Sequence, residues 1–482
     1  MSRNVFFYAA VIAVFGTGIG LILHFGSGLQ PPVALESPAA VEPTSPAETH
    51  DATGGPLGPV FAHLKEPLSL LLLQVIVILL AARLLGSVFP RIGQPPVIGE
   101  MIAGILLGPS LLGLVAPEAQ AFLFPADSLG TLRLLSQIGV ILFMFVVGIE
   151  LDVDHLRHKA DAALLVSHAS IVVPFFLGTA CALVLYRTVV PAGIPFTGFA
   201  LFMGVSMSVT AFPVLARIIE ERGLSQTFLG TTAITCAAVD DVTAWCLLAV
   251  VVATVSADGL GGALVTIALT VLFIALMLFL VRPRIARWRG DGAHTPIGTT
   301  GFLAIVLSFV FVSALATEVI GIHALFGAFL AGVCMPRDSA LRQYLRERLE
   351  TFSSVFLLPL FFAFTGLRTE VGLLDDWTSW LLCASVVLVA IAGKLGGSTL
   401  AARWTGMSWG DSFALGALMN TRGLVELIVL NIGYDLGLLS PRIFTMLVLM
   451  ALLTTLMTGP LLALVEAVRH RKLLAESSSA RA

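Results

Sequence analysis

The stretch 235-TCAAVDDVTAW-245 sets two adjacent carboxylates, Asp240 and Asp241, in a run otherwise apolar enough to sit in lipid. An aspartate at the centre of a membrane helix costs about 2.5–3.5 kcal/mol on insertion scales, so the pair requires compensating partners. Successive helical residues point about 100° apart, which gives the two acids different neighbours and different roles. Cations at that depth are few. Lys394, in 389-VAIAGKLGGSTL-400, is the clearest, and its flanking glycines permit close helix approach. Burial disfavours the charged form of an unpaired amine or carboxylate, so a Lys394 to Asp240 pair would be breakable by a proton or a competing cation. Asp241 would then be the ligand, because desolvation lets a carboxylate exchange protons near physiological pH and hard monovalent cations prefer oxygen donors. Proton and metal ion competing for one carboxylate is the minimal device for antiport.

Such a site needs backbone opened inside the membrane, and two segments supply it. One contains 206-SMSVTAFPVLA-216, where Pro213 removes a donor and Ser206, Ser208 and Thr210 offer side-chain partners. Thr210 and Ser208 are the expected oxygen donors beside Asp241. The other contains 419-MNTRGLVEL-427, with Asn420, Thr421, Arg422 and Gly423 at mid-membrane depth. Arg422 and Glu426, spaced i,i+4, read as an internal ion pair holding that segment rather than as ligands. The two segments lie an odd number of spans apart and so run in opposite directions. Paired interruptions in oppositely oriented halves point to an inverted-repeat transporter with its site at the midplane.

The surrounding composition agrees. The chain is 57% apolar and 12% charged over 482 residues, against about a quarter charged in a soluble domain. From residue 67 onward thirteen apolar segments near spanning length recur, centred near Val77, Ile105, Leu142, Val173, Val205, Cys246, Leu272, Val306, Phe326, Leu357, Val387, Leu424 and Leu452. The expected fold is all-α and polytopic: a thirteen-helix core with inverted repeats and two crossed discontinuous helices, plus one extra N-terminal helix. Residues 1–30 read as a retained transmembrane helix rather than a cleaved signal, residues 31–66 as a Pro/Ala/Glu-rich linker, 67–466 as the membrane domain and 467–482 as a tail. Gly99, Gly104 and Gly108 read as close packing, and His168 and His323 as packed or hydrogen-bonded residues.

Alternate loops carry the basic residues: Arg91, 155-HLRHK-159, 217-RIIEER-222, 282-RPRIARWR-289, 337-RDSALRQYLRER-348, Arg403 and 469-RHRK-472. The intervening loops are poor in them, as at Asp258 and 374-LDDW-377. The asymmetry puts both termini in the cytoplasm and the linker outside, in the cell (inner) membrane. A net charge of −3 implies no nucleic-acid partner, and the five cysteines lie in apolar runs without metal-like pairing. No cofactor is expected; the ligands are transported Na+ or K+, and H+. The chain is not expected to be an enzyme. A membrane aspartyl protease, suggested by 433-GYD-435 and 290-GDG-292, fails because those acids sit near loop ends. A channel or sensor, or a sodium-coupled organic-anion symporter on a similar fold, remains the alternative function.

The segments 94-QPPVIGEMIAGILLGPSLLG-113, 145-FVVGIELD-152, 208-SVTAFPVLARI-218, 321-GIHALFGAFLAG-332 and 420-NTRGLVELIVLNIG-433 resemble the monovalent cation:proton antiporter superfamily, second branch. That branch includes NapA-type and GerN-like exchangers, Kef-type potassium efflux systems and plant CHX exchangers. The resemblance covers residues 67–466. It implies a thirteen-helix homodimer in which a core domain with crossed broken helices moves against a dimerisation domain. It also implies that Asp241 is the ion- and proton-binding aspartate and that Asp240 and Lys394 are the pair found in electrogenic members, exchanging two protons per cation. The sequence departs from Kef-type members in carrying no cytosolic nucleotide-binding segment, and from plant exchangers that have Asn at the Asp240 position.

Overall fold

In lipid, backbone N–H and C=O groups must be satisfied within the segment, and an apolar run meets that demand as a helix. The computed structural model describes residues 3–29, 63–64, 66–150, 160–191, 193–224, 226–256, 260–290, 300–336 and 338–479, and all regular structure among them is helical. The principal helices are α1 (Arg3–Gly26), α2 (Pro67–Val88), α3 (Pro96–Leu107), α4 (Ala126–Glu150), α5 (Ala160–Thr188), α6 (Phe196–Ser208), α7 (Phe212–Glu221), α8 (Phe228–Ser256) and α9 (Leu260–Ala275). They continue as α10 (Thr300–Ile320), α11 (Ala324–Val333), α12 (Ser339–Phe352), α13 (Leu358–Leu367), α14 (Trp377–Ile391), α15 (Gly397–Trp404), α16 (Trp409–Met419), α17 (Leu424–Asp435) and α18 (Pro441–Ser479).

Twelve helical segments among the described residues are long and apolar enough to cross a bilayer, α1 included, and α16 with α17, bent by 44°, add a thirteenth. The segment around Phe326 is the exception to the expected spans. It is the ten-residue helix α11, about 15 Å long, half the thickness of a hydrocarbon core. The chain turns into it sharply from α10, with Gly321 and His323 both at positive φ (95° and 92°). The Glu318 side chain accepts from the Ala324 N–H at 2.7 Å and so fixes that entry.

The helices pack as two groups. In one, α5 lies against α6, α8, α14 and α15, while α16 packs on α8, α15 and α18. In the other, α3 packs on α2 and α13, and α4 on α11, α12 and α13. Small residues set the closest crossings of the second group: a Cβ on Gly104 would lie 2.4 Å from the Ala363 carbonyl oxygen, and one on Gly148 would lie 2.2 Å from that of Phe329. Helix α9 joins the groups, touching α8 on one side and α10 on the other, and runs on through a π-helical stretch, Leu276–Val281. Helix α1 lies on α5, where Phe15 and Phe176 meet edge-on and Tyr8 meets His168.

The basic loop at Arg222 and the C-terminal helix share one end of the molecule: Arg222 donates to the Gly459 carbonyl at 3.1 Å and stands 3.7 Å from Glu466. The linker from residue 31 to 62, the loop 155-HLRHK-159, Asp258 and Asp291 lie outside the described residues.

Candidate functional site

The two interruptions meet. Helix α6 ends at Ser208, Val209 and Ala211 take extended backbone, and α7 resumes with Pro213 in its first turn, where a missing N–H costs nothing. Helix α16 ends at Met419, and α17 resumes after Gly423. The Ala211 N–H donates to the Thr421 carbonyl at 3.0 Å, a direct backbone bond between the breaks. Each break leaves helix-end groups without intrahelical partners. Arg422 covers those of α6: its guanidinium donates to the Ser206 and Met207 carbonyls, both at 2.7 Å, and to Glu426 Oε2 at 2.7 Å. Both side chains of that ion pair are fully buried. The expected pairing is present, and Arg422 in addition ties α17 to α6. On the other face, Thr455 of α18 accepts from the Arg422 N–H at 3.1 Å and donates to its carbonyl at 2.9 Å.

Helix α8 passes these breaks unbroken and carries both aspartates. Asp240 is fully buried and fully engaged. Its Oδ1 accepts from Ser167 at 2.5 Å; its Oδ2 accepts from Ser170 at 2.5 Å, from Thr210 at 2.8 Å and from Lys394 Nζ at 2.9 Å. Lys394 is itself fully buried, does not snorkel, and donates also to the Ser170 carbonyl at 2.9 Å. It sits in a one-turn π-helical widening of the α14–α15 rod, Ala392–Gly396. The rod approaches α5 closely there: a Cβ on Gly393 would lie 2.8 Å from Pro174.

Asp241 contrasts with its neighbour. It is 2% exposed, and neither carboxylate oxygen has a hydrogen-bond partner among the described residues. Two further buried polar groups at the breaks are also unpartnered, the Asn420 amide and the Ser206 hydroxyl. An unpaired buried carboxylate is costly, and its persistence beside opened backbone marks a group available to a ligand.

One expectation is corrected. Thr210 reaches Asp240 rather than Asp241, and Ser208 points away from both, donating to the Gly204 carbonyl at 2.7 Å and the Ile171 carbonyl at 2.9 Å. The helix offset between adjacent residues turns Asp240, not Asp241, toward the hydroxyls of α5 and the first break. Ser167 and Ser170 are partners that the sequence reading missed. Their i,i+3 spacing in the apolar 160s was the available signal, since it places two hydroxyls on one helix face.

A cavity of about 530 Å³ opens from the end bearing the basic loops and reaches Pro213, Val214 and Leu424 at the breaks. Its charged lining is four acidic side chains, Glu100, Glu150, Glu220 and Glu350, against Arg217 and Arg346, a setting rich in oxygen ligands for cations. At the opposite end the two helix groups are tied together. Asp435 at the end of α17 stands 3.0 Å from Arg133 of α4 and 2.9 Å from Arg368 after α13, and Arg368 also donates to Asn431 at 3.0 Å. Asp435 is thus held in an ion-pair network, and no protease-like pairing exists for it among the described residues.

Residues 75–465 match the family described as sodium/hydrogen exchanger, transmembrane. The chain is 47% identical over 395 residues to the Na+/H+ antiporter NhaS4 of Synechocystis sp., covering 82% of this chain and 96% of that one. It is 40% identical over 425 residues to cation/H+ antiporter 20 of Arabidopsis thaliana and 35% identical over 421 residues to K+/H+ antiporter 1 of Saccharomyces cerevisiae, covering 85% of this chain in each case. It spans about half the length of those plant and yeast relatives, 50% and 48%. The solved structure of the sodium proton antiporter MjNhaP1 from Methanocaldococcus jannaschii shares the fold, with a TM-score of 0.61 at 14% identity, covering 81% of this chain and 96% of that one. With its two broken helices joined around a buried aspartate pair, this chain belongs to the transmembrane sodium/hydrogen exchanger family.

Proposed function

We propose that the chain is a secondary active transporter that exchanges Na+ or K+ for protons, with proton and cation competing for Asp241. The observation that carries the reading is the inequality of the two acids: Asp240 has every oxygen satisfied, whereas Asp241 is as deeply buried and has no partner. A bare carboxylate beside the start of α7 and the open backbone of the breaks can take a proton or a dehydrated monovalent cation, and not both. The names of the relatives support this chemistry and divide over the ion, one being a Na+/H+ and another a K+/H+ antiporter.

The Asp240 and Lys394 pair makes the exchange electrogenic. When a cation enters, Asp240 can leave the lysine, and the lysine releases a proton; two protons then move for one cation. The acidic cavity serves as the cytoplasmic entrance, following the basic loops that gather at its mouth. Both termini lie on that side, in the cell membrane, and the linker lies outside. The Asp435, Arg133 and Arg368 network closes the external side in this conformation and must part when the helix group carrying α17 moves. The active unit is a homodimer formed through the helix group that stays still.

Vesicles containing the purified chain and a trapped pH dye test the reading. Added Na+ or K+ dissipates an imposed proton gradient, and a cation series ranks the ions. Cation flux with no proton movement would instead make the chain a channel.

A further inference from the structure

A second cavity, of about 350 Å³, lies on the far side of α8 from the breaks, between α8, α9 and α11. Its lining on α9 and the helical stretch that continues it runs along one face from Thr270 to Arg282, about 18 Å at 1.5 Å per residue. That exceeds half of a roughly 30 Å hydrocarbon core, so the slot is about one leaflet deep. The walls are almost wholly apolar, and Arg282 is the only charged residue in the lining. It is half-buried and has no hydrogen bond or ion pair among the described residues. Trp245 lines the slot as well; it is 4% exposed, its ring meets Phe326 edge-on, and its Nε1–H has no acceptor. Arg284 and Arg287, exposed on the next turns, extend the positive charge beyond the mouth. A slot this long and apolar, one leaflet deep and ending on an unpaired guanidinium, matches a molecule with a long chain and an anionic head. Basic pockets between helices at a membrane face take such headgroups.

We propose that this slot binds an anionic phospholipid of the leaflet at the basic end of the molecule, with one acyl chain between α8 and α9 and the phosphate on Arg282. The inference rests on the bilayer placement above and not on antiport itself. Val239 and Val242, which flank the aspartate pair on α8, form part of the slot's wall. The bound chain therefore braces the site-bearing helix against α9, which touches both helix groups.

The test is lipid retention by the purified full-length chain, read by native mass spectrometry after titration with phosphatidylglycerol or with phosphatidylcholine of the same acyl chains. Phosphatidylglycerol is retained about tenfold more tightly, and Arg282→Gln lowers it to the phosphatidylcholine level. Arg91→Gln, at the same face but away from the slot, leaves retention unchanged. Ile274→Trp, which fills the slot from the loosely packed α9, removes both lipids. Soluble glycerol phosphate does not compete; competition by it would mean a free-phosphate site and overturn the proposal. Equal retention of the two lipids, or unaltered retention in Arg282→Gln, overturns it as well. Retention is read without transport, so failure here leaves the antiport reading to its own assay.

Discussion

Ala211 and Thr421, far apart in the chain, are joined by a backbone hydrogen bond of 3.0 Å. That bond fuses two helix interruptions into one piece of opened backbone, across which α8 lays its two aspartates. The ends of four half-helices converge there, and Arg422 neutralises the carbonyl end of α6. What is left open is the neighbourhood of Asp241.

Removing the Asp241 charge costs the fold little, because that carboxylate has no hydrogen bond to lose. Asp241→Asn keeps or slightly raises the melting temperature in detergent and abolishes exchange in the vesicle assay. Proton exchange at the wild-type rate in this variant would sink the assignment of the site.

The Asp240 and Lys394 pair behaves in the opposite way. Lys394→Met strands a fully buried carboxylate and destabilises the chain by about 3–5 kcal/mol. Removing both charges, as Asp240→Asn with Lys394→Met, recovers most of that loss. If the pair sets the charge balance, the double variant exchanges cations for protons without responding to membrane potential, which a potassium-diffusion potential across the vesicle reads directly.

Competition fixes the direction of the pH dependence. Lowering pH fills Asp241 with a proton, so the apparent KM for the cation rises on the acid limb by about tenfold per pH unit for each proton that cation binding displaces, about a hundredfold if Lys394 releases one as well, while the rate at saturating cation is retained. A KM independent of pH, with only the maximal rate changing, would mean that proton and cation bind at different places.

Arg422 carries structure rather than ions. Arg422→Ala uncovers two carbonyls and leaves Glu426 buried without its partner, at a cost of about 3–5 kcal/mol. Arg422→Lys retains one charge but cannot span three acceptors in a fork, so it melts between wild type and the alanine variant. Thermal unfolding ranks the three.

Asp435→Asn weakens the tie to Arg133 and Arg368 and favours the conformation open at that end. A cysteine placed at Ile432, buried on α17 just inside the tie, reacts faster with an impermeant maleimide applied at that end in this background. Unchanged labelling would show that the network does not close that end.

Much of this was legible in the chain itself. Apolar length gives the spans, because it is a local consequence of lipid as a solvent. Pro213 and the polar run from Asn420 to Gly423 mark the breaks, since a missing donor and mid-membrane polarity are local facts. The cost of two buried acids points to Asp240, Asp241 and Lys394 before any coordinates. The segment around Phe326 was less legible: hydropathy registers an apolar stretch but not the turn at Gly321 and His323 that leaves α11 only ten residues long.

The division of labour between the two acids was decided only by tertiary structure. The sequence determined that adjacent aspartates face different neighbours, by the helical offset alone. Which one meets Lys394, Thr210, Ser167 and Ser170 depends on the rotation of α8 about its axis, and packing against α5 and the first break sets that rotation. The same rotation leaves Asp241 without a hydrogen bond. Partners from distant helices have no fixed spacing in sequence, so no local pattern could have told the held acid from the free one.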